Sequence, residues 1–307
     1  MQTCILFLIA FFMINELFGQ DMYPLYPGKI PNSKNASNEE KTEQRDGITR
    51  VTKISEPSIS YFPAGNSGST NATVIIFPGG GYGTNSLSHE GYDVARRFNQ
   101  AGVTAFVVKY RLPDDRTMID KEIGPLQDAQ QAIKIVRENA AKYKIDPQRI
   151  GIMGFSAGGH LASTAGTHFK KVYIENTNNV NIRPDFMILV YPVISFQDDI
   201  SHRGSRDNLL GKNALKEKKD LYSNELQVTH ETPPTFLVHA SDDEAVVPAN
   251  SIRFYENLLE HKVASEMHIY QNGGHGFGLN NLTAKDDWFS TCLHWMESNK
   301  WISVKNK

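Results

Sequence analysis

Arg149-Ile150-Gly151-Ile152-Met153-Gly154-Phe155-Ser156-Ala157-Gly158-Gly159-His160-Leu161-Ala162-Ser163 is the stretch on which the fold turns. An apolar run of strand composition leads into a serine set between glycines, and a helix-like run of small and apolar residues leads out. Strand, glycine-flanked serine, helix is the context of a nucleophile elbow. Serine is a poor nucleophile unless the backbone holds it proud and a base removes its proton. Glycines on either side let the chain turn sharply with no Cβ in the way. The pattern therefore asks the rest of the chain for a base, an orienting acid and a set of donors for an oxyanion.

Outward from the serine, strand-like and helix-like segments alternate. Before it, Thr73-Val74-Ile75-Ile76-Phe77 is apolar enough to be buried on both faces, as central parallel strands are. Residues 88–100 fit a helix stopped by Gly102, residues 103–108 a strand, and residues 126–143 a helix with Ala129, Ala132, Ile133, Val136 and Ala140 on one stripe. After it, strands fit residues 186–191, 235–240 and 265–270, and helices residues 250–261 and 284–301. Strands also fit residues 50–54 and 58–62. The alternation predicts an α/β fold with a mostly parallel central sheet and helices on both faces. Residues 193–232 break the rhythm with a polar, charged stretch, a candidate lid insertion or a plain solvated connection.

The base is sought downstream. Gly273-Gly274-His275-Gly276-Phe277-Gly278 directly follows the last strand-like segment, and glycines on both sides can carry an imidazole on an unusual loop. The acid is Asp242 or Asp243, adjacent in the loop after residues 235–240, with Asp243 preferred. The order serine, acid, histidine suits an α/β-hydrolase. For the oxyanion, Phe77-Pro78-Gly79-Gly80-Gly81-Tyr82-Gly83 follows a buried strand, so the N–H groups of Gly80, Gly81 and Ala157 are the expected donors. A phosphate loop is disfavoured because no Gly-Lys-Ser/Thr follows, and no G-x-G-x-x-G is present for a dinucleotide. This chemistry calls for no metal and no cofactor.

The chain has 307 residues, 40% of them hydrophobic, ample for a full core. Its net charge of -2, with no basic tract, argues against nucleic acid as a partner. Residues 1–20 carry an apolar run, Cys4 to Ile14, of signal-peptide length and too short to span a bilayer comfortably, although no Lys or Arg precedes it. Export to the periplasm or medium is expected, with no membrane span once the signal is removed. Residues 21–48 read as an extended, poorly packed arm, and residues 49–307 as the catalytic domain. Of the two cysteines, Cys4 and Cys292, one would remain after cleavage, so no internal disulfide is expected.

Several segments together resemble the α/β-hydrolase superfamily over residues 49–301. They are Tyr23-Pro24-Leu25-Tyr26-Pro27, Pro78-Gly79-Gly80-Gly81-Tyr82, His89-Glu90-Gly91-Tyr92-Asp93-Val94-Ala95, Lys109-Tyr110-Arg111-Leu112-Pro113, Gly154 to Ala162, and Thr232-Pro233-Pro234-Thr235-Phe236. More narrowly, the chain is similar to esterases near the hormone-sensitive lipases and to secreted bacterial acetylesterases, often labelled acetyl xylan esterases. Pro78 stands where the hormone-sensitive-lipase pattern His-Gly-Gly-Gly has its histidine. The resemblance implies nucleophile Ser156, acid Asp243, base His275, and a carbohydrate ester as substrate. The rivals are a peptidase of prolyl-oligopeptidase type, which would carry a large accessory domain, and a non-catalytic binder, which would lack a member of the triad.

Overall fold

The computed structural model describes residues 21–65 and 69–303. The expected signal peptide lies outside these residues. Eight strands form the central sheet: β1 (Asp21–Pro24), β4 (Ser58–Phe62), β5 (Thr73–Phe77), β7 (Thr104–Lys109), β8 (Ile150–Phe155), β9 (Met187–Val190), β10 (Thr235–Ala240) and β11 (Ser265–Tyr270). Their order is β1-β4-β7-β5-β8-β9-β10-β11. The six strands from β7 to β11 run parallel, and β4 and β1 add antiparallel at one edge. A separate antiparallel ribbon joins β2 (Lys41–Arg45), β3 (Ile48–Thr52) and β6 (Thr84–Ser86).

Composition explains the centre. Every residue of β5, β8, β9 and β10 is buried, as expected where helices cover a parallel sheet. Each large apolar side chain so buried stabilises by about 1.5–3 kcal/mol. Helix α1 (Asp93–Gln100) buries Val94, Ala95 and Phe98 and ends just before Gly102, at φ +76°. Helix α2 (Gly124–Glu138) buries the anticipated stripe, then breaks at Asn139, whose side-chain amide donates to the Ile135 carbonyl. A short helix α3 (Ala140–Tyr143) follows. Helix α4 (Ser156–Thr167) is buried through Gly166, and α7 (Ala249–Glu260) and α8 (Trp288–Ser298) complete the set. Cys292 is buried on α8. Among the described residues no helix is long and apolar enough to cross a membrane.

Two of the expected segments gain detail. Residues 21–48 are extended and mostly exposed, as expected, and are held to the domain at a few single points. Leu25 is fully buried, and Tyr26 donates to Asp128 Oδ1 at 3.0 Å. The buried Arg111 guanidinium bridges Asp128 on α2 and the Pro31 carbonyl of the arm. The compositional signal missed this because the anchors are single residues among polar ones. Residues 193–232, expected as a lid or solvated link, fold into α5 (Arg203–Leu210), α6 (Lys216–Leu221) and a 3-10 turn at Asn224–Gln227. Val193, Ile194, Phe196, Leu209 and Tyr222 are buried there. The Asn224 amide donates to Ser163 and Thr164 of α4. Only α6, which has no buried residue, keeps the solvated character read from its charges.

Candidate active site

Neighbouring strands β5 and β8 deliver the glycine loop and the serine side by side, with Phe77 opposite Gly154 in the register. Ser156 is the first residue of α4 and holds φ +50°, a left-handed conformation that single non-glycine residues adopt under constraint. Its glycine neighbours are required by space. A Cβ on Gly154 would sit 2.0 Å from the Gly158 carbonyl oxygen, and one on Gly158 would sit 2.1 Å from the Phe77 carbonyl oxygen. The elbow closes only if backbone touches backbone at both points.

The structure brings the expected serine, histidine and acid together. His275 Nε2 lies 2.9 Å from Ser156 Oγ, and His275 Nδ1 lies 2.6 Å from Asp243 Oδ2. Asp243 Oδ1 accepts the N–H groups of Ala245 and Val246, which fixes the carboxyl. His239 directs Nε2–H at both Asp243 Oδ2 and the Val246 carbonyl, because a carbonyl can only accept, while its Nδ1 faces the Ser251 hydroxyl. Burial works against a charge on Asp243, but the hydrogen bonds from His239 and His275 outweigh it and hold the carboxyl well below the usual carboxylate range. The adjacent Asp242 does not face the imidazole. It accepts the Gly274 N–H at 2.8 Å and so steadies the histidine loop.

The glycine loop packs directly on the serine: a Cβ on Gly79 would meet Ser156 Cβ at 2.9 Å. Among the described residues the N–H groups of Gly80, Gly81 and Ala157 have no hydrogen-bond partner, as vacant oxyanion donors should not. The Gly79 N–H is different, because it donates to Glu90 Oε2 at 2.8 Å. Buried Glu90 also accepts from the Tyr191 hydroxyl at 2.8 Å, and that hydroxyl accepts the Gly278 N–H at 2.9 Å. A continuous bridge thus runs from the glycine loop to the histidine loop. Burial, then the nearby Glu90, raises the Tyr191 phenol far above its usual range, so it stays a neutral donor. His89 donates to the Gly276 carbonyl, and Trp288 Nε1 to that of Gly278.

Three residues of the site have no role assigned from the sequence, Glu90 being quoted there only within the segment His89 to Ala95. Glu90 and Tyr191 lie inside segments that read as helix and strand. His202 caps α5: its Nδ1 accepts the Ser205 N–H at 3.2 Å, which leaves Nε2 as the protonated nitrogen. Its ring lies 3.8 Å from where a Gly81 Cβ would be, and burial, reinforced by His275, lowers its basicity. A polar stretch after a strand is the signal that could have pointed to it. His160, read as structural, donates from Nε2 to the Tyr222 carbonyl and accepts from the Tyr82 hydroxyl at 2.9 Å. It thereby pins the glycine loop to α4.

An acetylxylan esterase of Xylanibacter ruminicola is 39% identical over 226 residues, covering 72% of this chain and 43% of that protein. Endo-1,4-beta-xylanase B of Butyrivibrio fibrisolvens is 37% identical, over 71% of this chain and 33% of that protein. The chain therefore spans less than half the length of either curated relative. The crystal structure of an acetyl ester-xyloside bifunctional hydrolase from Caldicellulosiruptor lactoaceticus superposes with TM-score 0.79 at 37% identity, covering 92% of this chain and 97% of that one. Residues 60–258 match the BD-FAE family, and on that match, the parallel sheet and the serine at the turn from β8 into α4, the chain belongs to the BD-FAE family within the α/β-hydrolases.

Proposed function

We propose that this protein is a serine carboxylesterase that removes short acyl groups, acetyl foremost, from esterified carbohydrate. The observation that carries the proposal is the Ser156–His275–Asp243 relay at 2.9 and 2.6 Å beside three unpartnered N–H groups. The sugar-ester activities named for the relatives support the choice of substrate.

In the proposed reaction Ser156 Oγ attacks the ester carbonyl while His275 Nε2 takes its proton. The C–O bond to the sugar breaks as the tetrahedral intermediate collapses, and the sugar hydroxyl leaves with the proton from His275. Water, deprotonated by the same imidazole, then attacks the acyl-serine and releases the carboxylic acid, returning the proton to Oγ. Asp243 holds the imidazole with its proton on Nδ1 and stabilises the imidazolium; the N–H groups of Gly80, Gly81 and Ala157 hold the oxyanion in both halves.

The test is hydrolysis of p-nitrophenyl acetate together with acetate release from acetylated xylan. Ser156→Ala and His275→Ala are expected to lower kcat by several orders of magnitude, and Asp243→Ala somewhat less. Activity confined to long-chain acyl esters, or a serine that a fluorophosphonate probe does not label, overturns the reading. Export belongs to the same proposal and rests on the sequence of residues 1–20 alone; finding the protein in the cytosol with that segment still attached would refute it.

A further inference from the structure

Beyond the serine, a cavity opens where the glycine loop ends. Its volume is about 390 Å³, within the range of small-molecule sites, and Tyr82 and Gly83 form one end of it. Its walls come from segments far apart in sequence. The N-terminal arm contributes Ala36, Ser37 and Glu39, the turn after β3 contributes Lys53, and the loop after β7 contributes Asp114 and Arg116. Helix α5 supplies Asn208, whose amide also donates to the Gly81 carbonyl at 2.8 Å. One hydrogen bond thus joins the wall of this cavity to the loop that faces Ser156.

The lining has two chemical parts. Ile54, Leu112 and Tyr82 are buried and give an apolar base. Around them, Lys53 meets Glu39 at 2.7 Å, and Arg116 meets Glu39 at 3.2 Å and Asp114 at 2.8 Å. Two cations and two anions cancel. A charged ligand would have to displace one of these partners to gain another. A neutral polyol has no such conflict, because each hydroxyl both donates and accepts and can lie between the two signs.

We propose that this cavity is a carbohydrate subsite that holds a neutral polysaccharide chain adjacent to the sugar whose ester lies at Ser156. The inference rests on the reading of Ser156 as an esterase nucleophile. It gives the arm a function: the chain that crosses Arg111 and Asp128 also builds one side of the subsite.

Isothermal titration of unacetylated xylo-oligosaccharides into Ser156→Ala protein tests the binding apart from the chemistry. Xylohexaose is expected to bind more tightly than xylobiose, with an affinity that changes less than about twofold with salt, since no net charge is screened. Arg116→Met and Lys53→Met, at half-exposed positions, are each expected to weaken binding roughly three- to tenfold, the loss of one hydrogen-bonding partner. Unchanged melting temperatures in both variants exclude misfolding. No binding of xylohexaose by a protein that hydrolyses p-nitrophenyl acetate overturns the subsite and leaves the esterase. Variants that bind as the parent does, or an affinity that collapses with salt, overturn it as well. Binding by wild-type protein that hydrolyses no ester sinks the esterase reading and keeps the cavity.

Discussion

Ser156 holds a backbone conformation that its side chain disfavours by about 1–2 kcal/mol, and so do two residues beside it, Tyr82 at φ +59° and Tyr191 at φ +36°. Their neighbours keep them there. The Ser156 carbonyl accepts the Val193 N–H, the Tyr82 hydroxyl is held by His160, and Tyr191 is held between Glu90 and Gly278. Glu90 thereby acts through the two loops it joins. In Glu90→Gln one of the two accepting oxygens becomes an NH2 group that cannot serve either donor. We expect kcat on p-nitrophenyl acetate to fall about tenfold to a hundredfold with KM little moved, the size associated with a small misplacement of catalytic groups. An unchanged kcat in steady-state assays would show that the bridge does not matter. Ser156, Asp243 and His275 were legible because each sits in a run of glycine or acid after a strand. Glu90 and Tyr191 were not, because a buried carboxyl and phenol look ordinary until the fold places them 101 residues apart in contact.

The elements that build the elbow leave no spare volume. Gly158→Ala places a methyl group against the carbonyls of Phe77 and Pro78, at 2.1 and 2.5 Å, where backbone on both sides must shift. Activity is expected to drop by at least about a hundredfold, with a lowered melting temperature; wild-type melting and turnover would show that β5 and α4 can separate freely. Strands β5, β8 and β10 were readable because burial on both faces demands continuous apolar sequence. Strand β2 was not: Lys41-Thr42-Glu43-Gln44-Arg45 is exposed throughout and exists by pairing with β3. Residues 88–92 form a wide π turn in place of the first part of the expected helix, and this turn carries His89 and Glu90. Periodicity cannot reveal such a turn, because it differs from an α-helix by hydrogen-bond partner and not by composition.

Acid should unfold the protein in stages. Burial lowers His160 from the ordinary 6.5 to about 3, so the unfolded chain takes up a proton there before the folded one does. Its contribution to stability is complete above about pH 6.5 and declines as pH falls toward 3. Asp243, whose folded value is lowered, contributes above its ordinary 3.8 and loses that contribution at still lower pH. We expect the melting temperature to fall between pH 7 and pH 4, and less steeply in His160→Gln, which keeps a donor for Tyr222 and an acceptor for Tyr82. Parallel curves for the two proteins would remove His160 as the cause. The arm adds a matter of timing. Strand β1 borders the sheet and precedes every other described segment, yet Tyr26 reaches a partner, Asp128, that lies 102 positions further along the chain. During synthesis the arm therefore stays unsecured until α2, far downstream, has been made. Until α2 has been made, the outer edge of β4 stays open to pairing with another nascent chain, and crowded expression at high temperature is where that exposure should show as aggregation.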